Sequence, residues 1–178
     1  GPPSIDFVAY LYPPVYYYVS AAVALATGVG FFPLRLVSFG ASLGVFAIMF
    51  SMVSRETNDR AAGILAVGLF AATFRAGGAW LDTARVDSLF LLLLFSAVYL
   101  VRFGDSRRSL AAAGALLALS ALTKQTALVI APALVLYLLI INWRKSLPFV
   151  GGLIATLAGL TAALEVLHRG WYSFYVFE

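Results

Sequence analysis

Residues 61–101 read AAGILAVGLFAATFRAGGAWLDTARVDSLFLLLLFSAVYLV, and this stretch decides how the chain folds. Two long apolar runs, Ala61–Thr73 and Ser88–Val101, flank a short polar connection that holds two of the eight acidic residues. If the runs cross a bilayer, Asp82, Arg85 and Asp87 lie where a helix emerges from lipid, and an ionisable group there is a candidate functional residue. The alternative is an Arg–Asp pair that only caps a helix at the membrane surface.

The composition predicts a polytopic membrane protein. Of the 178 residues, 62% are apolar and 11% are charged, and the mean hydropathy is +0.96, whereas about a quarter of a soluble domain is charged. The chain has no Cys, so any metal or catalytic site would use carboxylates, amides, hydroxyls or the single His168. The net charge of +4 arises from short polar connections and gives no basic groove for nucleic acid.

We predict an all-α fold, a transmembrane helical bundle of about six crossings in a single membrane domain over residues 1–178. Residues 1–35 would form an outer Tyr/Pro loop and an interfacial or re-entrant helix at Val15–Val29, which is short for a crossing that needs about twenty residues. Residues 36–178 would form the bundle. Its apolar segments are Leu36–Val53, Ala61–Phe74, Ser88–Val101, Leu110–Leu122, Ala127–Ile141 and Leu147–Leu167.

The basic residues predict the orientation of these segments. Seven of the twelve lie in three alternate connections, Arg55–Arg60, Arg102–Arg108 and Asn142–Lys145, and positively charged loops stay on the cytoplasmic side. The connections that hold Asp87 and Lys124 then face outward. We expect a multi-pass protein of the bacterial inner membrane with a site on its outer face.

Lys124 lies between apolar residues on both sides, in the run ALSALTKQTALVIAPAL. Placing an ammonium group near hydrocarbon costs a few kcal/mol, so either a lipid phosphate or one of the Asp residues should compensate its charge. Gln125 and Thr126 would add hydrogen-bond donors to the same phosphate oxygens. The alternative is a lysine that snorkels at an ordinary helix end.

The acids near Arg85 are candidates for acid–base chemistry. Arg85 is three residues from Asp82, a spacing that pairs them if the loop is helical. A carboxylate at the membrane surface can accept a proton from an acceptor hydroxyl or help to hold a divalent cation. The candidate catalytic residues are therefore Asp87 and Asp82, and no group of residues identifies a metal site.

Three segments in order resemble a known family. YPPVYYYVSAAVALATGVGFFPLRL, ARVDSLFLLLLFSAVYLV and GALLALSALTKQTALVIAPALVLYLL resemble the integral membrane glycosyltransferases of the GT-C fold that use polyprenyl-phosphate sugars, the protein O-mannosyltransferase and aminoarabinose-transferase-like group. The resemblance makes Asp87 the second outer-loop acid and Lys124 the lysine of an L-T-K element. Tyr12 begins the family's aromatic-proline element, and Arg35 opens the next helix.

The predicted residues that bind the lipid-phosphate donor are Lys124, Arg85, Gln125 and Tyr12, and by the resemblance a divalent cation would often assist. The family's first helix and an acidic Asp-Glu motif should precede residue 1, so we expect the chain to be a fragment of a longer protein. Some members of that family have an acidic residue just before the proline, where this chain has Tyr12.

Two main hypotheses about function remain, and a fragment of a transporter is a third, weaker one. The first is the membrane core of a glycosyltransferase that transfers a sugar from a polyprenyl-phosphate donor to an acceptor on the outer face. The second is a non-catalytic membrane subunit that packs against other subunits of a larger complex. The enzyme predicts that Asp87 and Lys124 face one outer cavity, whereas the scaffold predicts that neighbouring groups satisfy them.

Overall fold

A computed structural model describes residues 12–74, 76, 78 and 83–172 of the chain, and this part is all-helical. A short 3₁₀ helix covers Gln125–Ile130. The α-helices are α1 (Val15–Thr27), α2 (Phe31–Thr57), α3 (Arg60–Ala72), α4 (Asp87–Phe103), α5 (Arg107–Ala121) and α6 (Ala131–Leu167). The predicted all-α class is confirmed for these residues.

Local chemistry sets the helix ends. Asp59 accepts a hydrogen bond from the backbone N–H of Ala61 at the start of α3, and Ser106 accepts one from Ser109 at the start of α5, as N-cap residues do. Asn58 ends α2 in the left-handed region, with φ 54°. The connection between α2 and α3 is therefore only two residues long, because the polar residues 55–57 extend α2.

The start of α2 also differs from the prediction. It begins at Phe31, five residues before the predicted Leu36, and includes Pro33 in its first turn. Proline is tolerated there because the N–H groups of the first turn have no partner within the helix. Arg35 thus lies inside the helix.

Residue Asn142 divides α6 into two helical parts. Its backbone is extended, with φ −166° and ψ 108°, and its Oδ1 accepts a hydrogen bond from the N–H of Arg144. The break falls within the predicted Asn142–Lys145 connection. The first part begins later than predicted, at Ala131, because residues 125–130 form the 3₁₀ helix.

Side-chain contacts place the connections at two ends of the bundle. At one end, which we call the basic end, Arg102 pairs with Glu56 and Lys145 pairs with Asp105. At the other end, the Tyr18 hydroxyl lies 3.0 Å from His168 Nε2. The chain after Asn142 therefore runs from the basic end to the end where α1 begins.

Two helical segments of the described chain are long and apolar enough to cross a membrane, namely Phe31–Thr57 and Gln125–Leu167. Val15–Thr27 and Arg60–Ala72 are shorter apolar helices. Many large apolar side chains, including Leu25, Ile140 and Val166, are exposed. This is expected where lipid covers a helix, whereas a soluble protein buries most such side chains. Six crossings and an interfacial α1 stay predictions.

The core lies among α4, α5 and both parts of α6. Its buried residues are Ala97, Val101, Leu110, Ala113, Leu117, Ala121, Ala127, Leu138 and Phe149. The many alanines allow the helix backbones to approach closely, which is how helices associate in lipid. A second cluster, of Tyr16, Ala41, Val86 and Leu89, joins α1 and α2 to the start of α4.

Glycines mark a close contact between α5 and α6. A Cβ atom on Gly114 of α5 would meet the Phe149 carbonyl oxygen, and one on Gly152 of α6 would meet the Ala111 carbonyl oxygen. The contact between α5 and α6 therefore requires glycine on both helices. By contrast, a Cβ on Gly151 meets no heavy atom of the described residues within 4 Å.

Candidate functional site

Asp87 is the centre of the candidate site. It is the first residue of α4, and only 7% of its side chain is exposed. Its Oδ1 lies 2.7 Å from Lys124 Nζ, and its Oδ2 lies 3.1 Å from Arg85 Nε. Each oxygen of one buried carboxylate thus accepts a charge-assisted hydrogen bond from a different cation.

Helix α2 holds the turn that carries Arg85 and Asp87. The Ser38 hydroxyl donates a hydrogen bond to the Arg85 carbonyl oxygen at 3.0 Å, and the Ser42 hydroxyl donates one to Ser88 Oγ at 2.9 Å. Both serines are buried. Since a buried polar group is costly unless it is hydrogen-bonded, these contacts fix the turn against α2.

Helix α5 places Lys124 opposite Asp87. The chain leaves α5 after Ala121, and Lys124 has an extended backbone, with φ −152° and ψ 118°. Its N–H still donates to the Ser120 carbonyl oxygen at 2.8 Å, while the Ser120 hydroxyl donates to the Phe90 carbonyl oxygen at 3.0 Å. Ser120 therefore joins the end of α5 to the first turn of α4.

The Tyr-Pro-Pro element lies beside the lysine. The Lys124 Nζ lies 5.9 Å from the centre of the Tyr12 ring and 5.8 Å from that of the Phe90 ring, within the range of cation–π attraction. The N–H of Val15 donates to the Leu122 carbonyl oxygen at 3.1 Å. The three segments that carry the family resemblance therefore meet at one place.

Among the described residues, the Arg85–Asp87–Lys124 cluster has more positive than negative charge. Asp87 contributes one negative charge against the two positive charges of Arg85 and Lys124, and it is the most buried of the three. The exposed fraction is 23% for the Lys124 side chain and 43% for that of Arg85. The exposed side of the cluster is therefore cationic and suited to an anion such as phosphate.

The structure adds a partner for Arg85 and leaves other predicted contacts untested. Arg85 pairs with Asp87, and residues 83–85 form bends; Asp82 lies outside the described residues, so its predicted pairing with Arg85 stays a prediction. Gln125 is exposed at the start of the 3₁₀ helix, close in sequence to the cluster.

No metal site is evident among the described residues, since no group of three His, Asp or Glu side chains lies together there. Both oxygens of Asp87 already accept from cations, and two nearby positive charges oppose the binding of a divalent cation. These residues do not fit such an ion, so we derive no step through it.

The supporting serines were not identified from the sequence. Ser38, Ser42 and Ser120 each lie within an apolar helix and are buried. A small hydroxyl residue within an apolar helix is ordinary in a membrane protein, where it often bonds its own helix backbone. The only available signal was the presence of two such serines one turn apart at 38 and 42.

The fold and the site define a helical membrane protein whose buried carboxylate joins the start of α4 to the end of α5 and leaves two cations partly exposed. The model of the dolichyl-phosphate-mannose-protein mannosyltransferase family matches residues 12–164. The chain belongs to this family, which places it among the membrane glycosyltransferases of the GT-C type and implies a polyprenyl-phosphate-linked sugar donor. Searches of curated proteins and of solved structures gave no match.

Proposed function

We propose that this chain is the membrane core of a glycosyltransferase that transfers a sugar from a polyprenyl-phosphate donor to an acceptor on the outer face of the membrane. The observation that carries the proposal is the Arg85–Asp87–Lys124 cluster, in which one buried carboxylate holds two cations side by side within the segment matched by the family. Lys124 and Arg85 would hold the donor phosphate, and Asp87 would hold both cations in place.

The charge of the reaction explains why two cations are useful. In a displacement, the acceptor hydroxyl forms a bond to the anomeric carbon while the bond from that carbon to the phosphate oxygen breaks. The phosphodiester of the donor becomes a phosphate monoester, which carries more negative charge at neutral pH. Cations fixed before the reaction stabilise the charge that develops on the leaving oxygen, so they act on the transition state more than on the bound donor.

Asp87 would act mainly as a positioning residue. Both of its oxygens already accept from cations, so a reacting hydroxyl would have to displace one of them to reach the carboxylate. The acceptor proton would then go to another base, and Asp82 is the candidate from the sequence.

One observation favours the second hypothesis, a non-catalytic membrane subunit. Asp87 and Lys124 satisfy each other directly at 2.7 Å, as expected of groups that only stabilise the bundle. In the enzyme hypothesis, Lys124 also binds the donor phosphate, whereas in the subunit hypothesis it only pairs with Asp87. A measurement of sugar transfer separates the two.

The test is transfer of radiolabelled mannose from dolichyl-phosphate mannose in membranes that contain the protein. We expect Lys124→Gln to lower kcat about 100-fold or more, the usual effect of removing one group that stabilises transition-state charge. Dolichyl-phosphate binding should weaken less. The matched control is Arg169→Gln, which removes one exposed positive charge beyond α6 and should leave transfer within about twofold.

Two results would contradict the enzyme proposal. If Lys124→Gln and Arg169→Gln have the same small effect on transfer, the cluster does not act on the donor. If the unmodified chain transfers no sugar from several polyprenyl-phosphate donors but co-purifies with other membrane subunits, the non-catalytic hypothesis is correct.

A further inference from the structure

A cavity opens at the basic end of the bundle, away from Asp87. Its volume is about 530 Å³, and it is lined by Arg107, Trp143, Arg144, Leu147 and Pro148. Arg107 is the first residue of α5, and the other four directly follow the break at Asn142. The cavity therefore lies between the start of α5 and the start of the second part of α6.

Two other basic residues at this end, Arg102 and Lys145, have acidic partners among the described residues. Arg102 is paired with Glu56, and Lys145 is paired with Asp105 at 3.1 Å. Within the described part of the chain, neither Arg107 nor Arg144 has an acidic partner. Two guanidinium groups without a counter-charge thus line the same space.

The remaining lining is apolar and exposed. Trp143 is 57% exposed and Leu147 is 60% exposed, and the Arg144 guanidinium lies 5.6 Å from the centre of the Trp143 ring. Tryptophan is enriched at the boundary between lipid and water. A ligand for this cavity should therefore combine a negative charge with an apolar part.

We infer that this cavity binds the phosphate group of an anionic phospholipid, with Arg107 and Arg144 as its cationic partners. Arginine suits a phosphate because its planar group donates two parallel hydrogen bonds. The positive end of the α5 dipole also favours an anion close to Arg107. Trp143, Leu147 and Pro148 would contact the glycerol and the first carbons of the acyl chains. This inference does not depend on the proposed transfer reaction.

The test measures, by native mass spectrometry, the binding of phosphatidylglycerol and phosphatidylcholine to the purified chain in detergent. The salt concentration is about 0.15 M, so that charges outside the cavity are screened from the lipid. We expect the unmodified protein to prefer phosphatidylglycerol. The double variant Arg107→Gln/Arg144→Gln should bind it about 25-fold more weakly, or about fivefold for each arginine near a charged lipid surface. Phosphatidylcholine binding should not change.

The matched control is Arg60→Gln/Arg108→Gln. These arginines are also exposed and near the basic end, but they do not line the cavity. The control should keep phosphatidylglycerol affinity within about twofold. Arg107→Lys/Arg144→Lys keeps the charge and should recover most of the binding, which distinguishes a lost ligand contact from a misfolded chain.

A second measurement locates the lipid. Phosphatidylglycerol with brominated acyl chains should quench tryptophan fluorescence more than brominated phosphatidylcholine does, and Trp143→Phe should remove that difference. The inference is wrong if both double variants lose the same affinity or if both lipids bind equally. It is also wrong if about 10 mM inorganic phosphate displaces the lipid completely, because the site would then bind a free anion.

Discussion

The pairing of Asp87 with Lys124 can be tested by a double-mutant cycle of Asp87→Asn, Lys124→Gln and the two together. The single changes should differ in effect. Lys124→Gln leaves the carboxylate paired with Arg85 at 3.1 Å. Asp87→Asn leaves two cations close together without their shared counter-charge, so it should destabilise the protein more.

The structure sets the size of the expected coupling. Two unit charges 2.7 Å apart attract by about 6 kcal/mol at an effective dielectric constant of about 20, and desolvation offsets much of this attraction. Removing one partner of a fully buried pair costs about 3–5 kcal/mol. Because 23% of the Lys124 side chain is exposed, we expect a coupling free energy of about 2 kcal/mol.

The chain provides a matched pair as a control. Lys145 and Asp105 are 3.1 Å apart, but 93% of the Asp105 side chain is exposed, and exposed pairs contribute about 0.2–1 kcal/mol. The free energy of unfolding would be measured in mixed micelles from the loss of helical circular dichroism as sodium dodecyl sulfate is added. Equal couplings for the two pairs, or a coupling near zero for Asp87 and Lys124, would refute the argument from burial.

Two further predictions concern packing and pH. Gly114→Ala should destabilise the chain by about 1–3 kcal/mol, because its Cβ would overpack against the backbone of Phe149. The control Gly151→Ala, whose Cβ would lie in open space, should be neutral or stabilising by up to about 1 kcal/mol. Equal melting temperatures for the two variants would contradict the contact between α5 and α6. Burial, with a smaller effect of the Glu165 carboxylate, raises the pKa of Tyr172 above its usual value of 10.0. Its contribution to stability is therefore complete below pH 10 and is lost as the pH rises through the higher pKa of the folded state. Tyr172→Phe should remove this part of the loss in a titration of the melting temperature from pH 9 upward, and an unchanged alkaline profile would contradict it.

Much of the helical organisation follows from hydropathy and local chemistry. The apolar runs predicted helices near their observed positions because the backbone of an apolar segment must satisfy its own hydrogen bonds in lipid. The largest deviations have local causes. Pro33 is accommodated in a first helical turn, the polar residues after Val53 continue α2, and residues 125–130 adopt a 3₁₀ helix.

The candidate site was only partly predictable. Asp87 and Lys124 could each be selected from the sequence because an ionisable group beside an apolar run needs compensation. Their pairing, across 37 residues of sequence, depends on how α4 and α5 pack. The sequence spacing predicts a pair between Arg85 and Asp82 if the loop is helical, and since Asp82 lies outside the described residues, this pair stays a prediction.

The sequence by itself determined that the chain is a helical membrane protein, that its basic residues gather in alternate connections, and which ionisable residues need a compensating partner. These properties depend on composition and on the order of residues along the chain, so they do not require knowledge of contacts. Only the tertiary structure decided that Asp87 receives two cations, that Ser38 and Ser42 hold its turn, and that Arg107 and Arg144 line one cavity. Each of these depends on distances between residues far apart in sequence, and helix packing alone sets those distances.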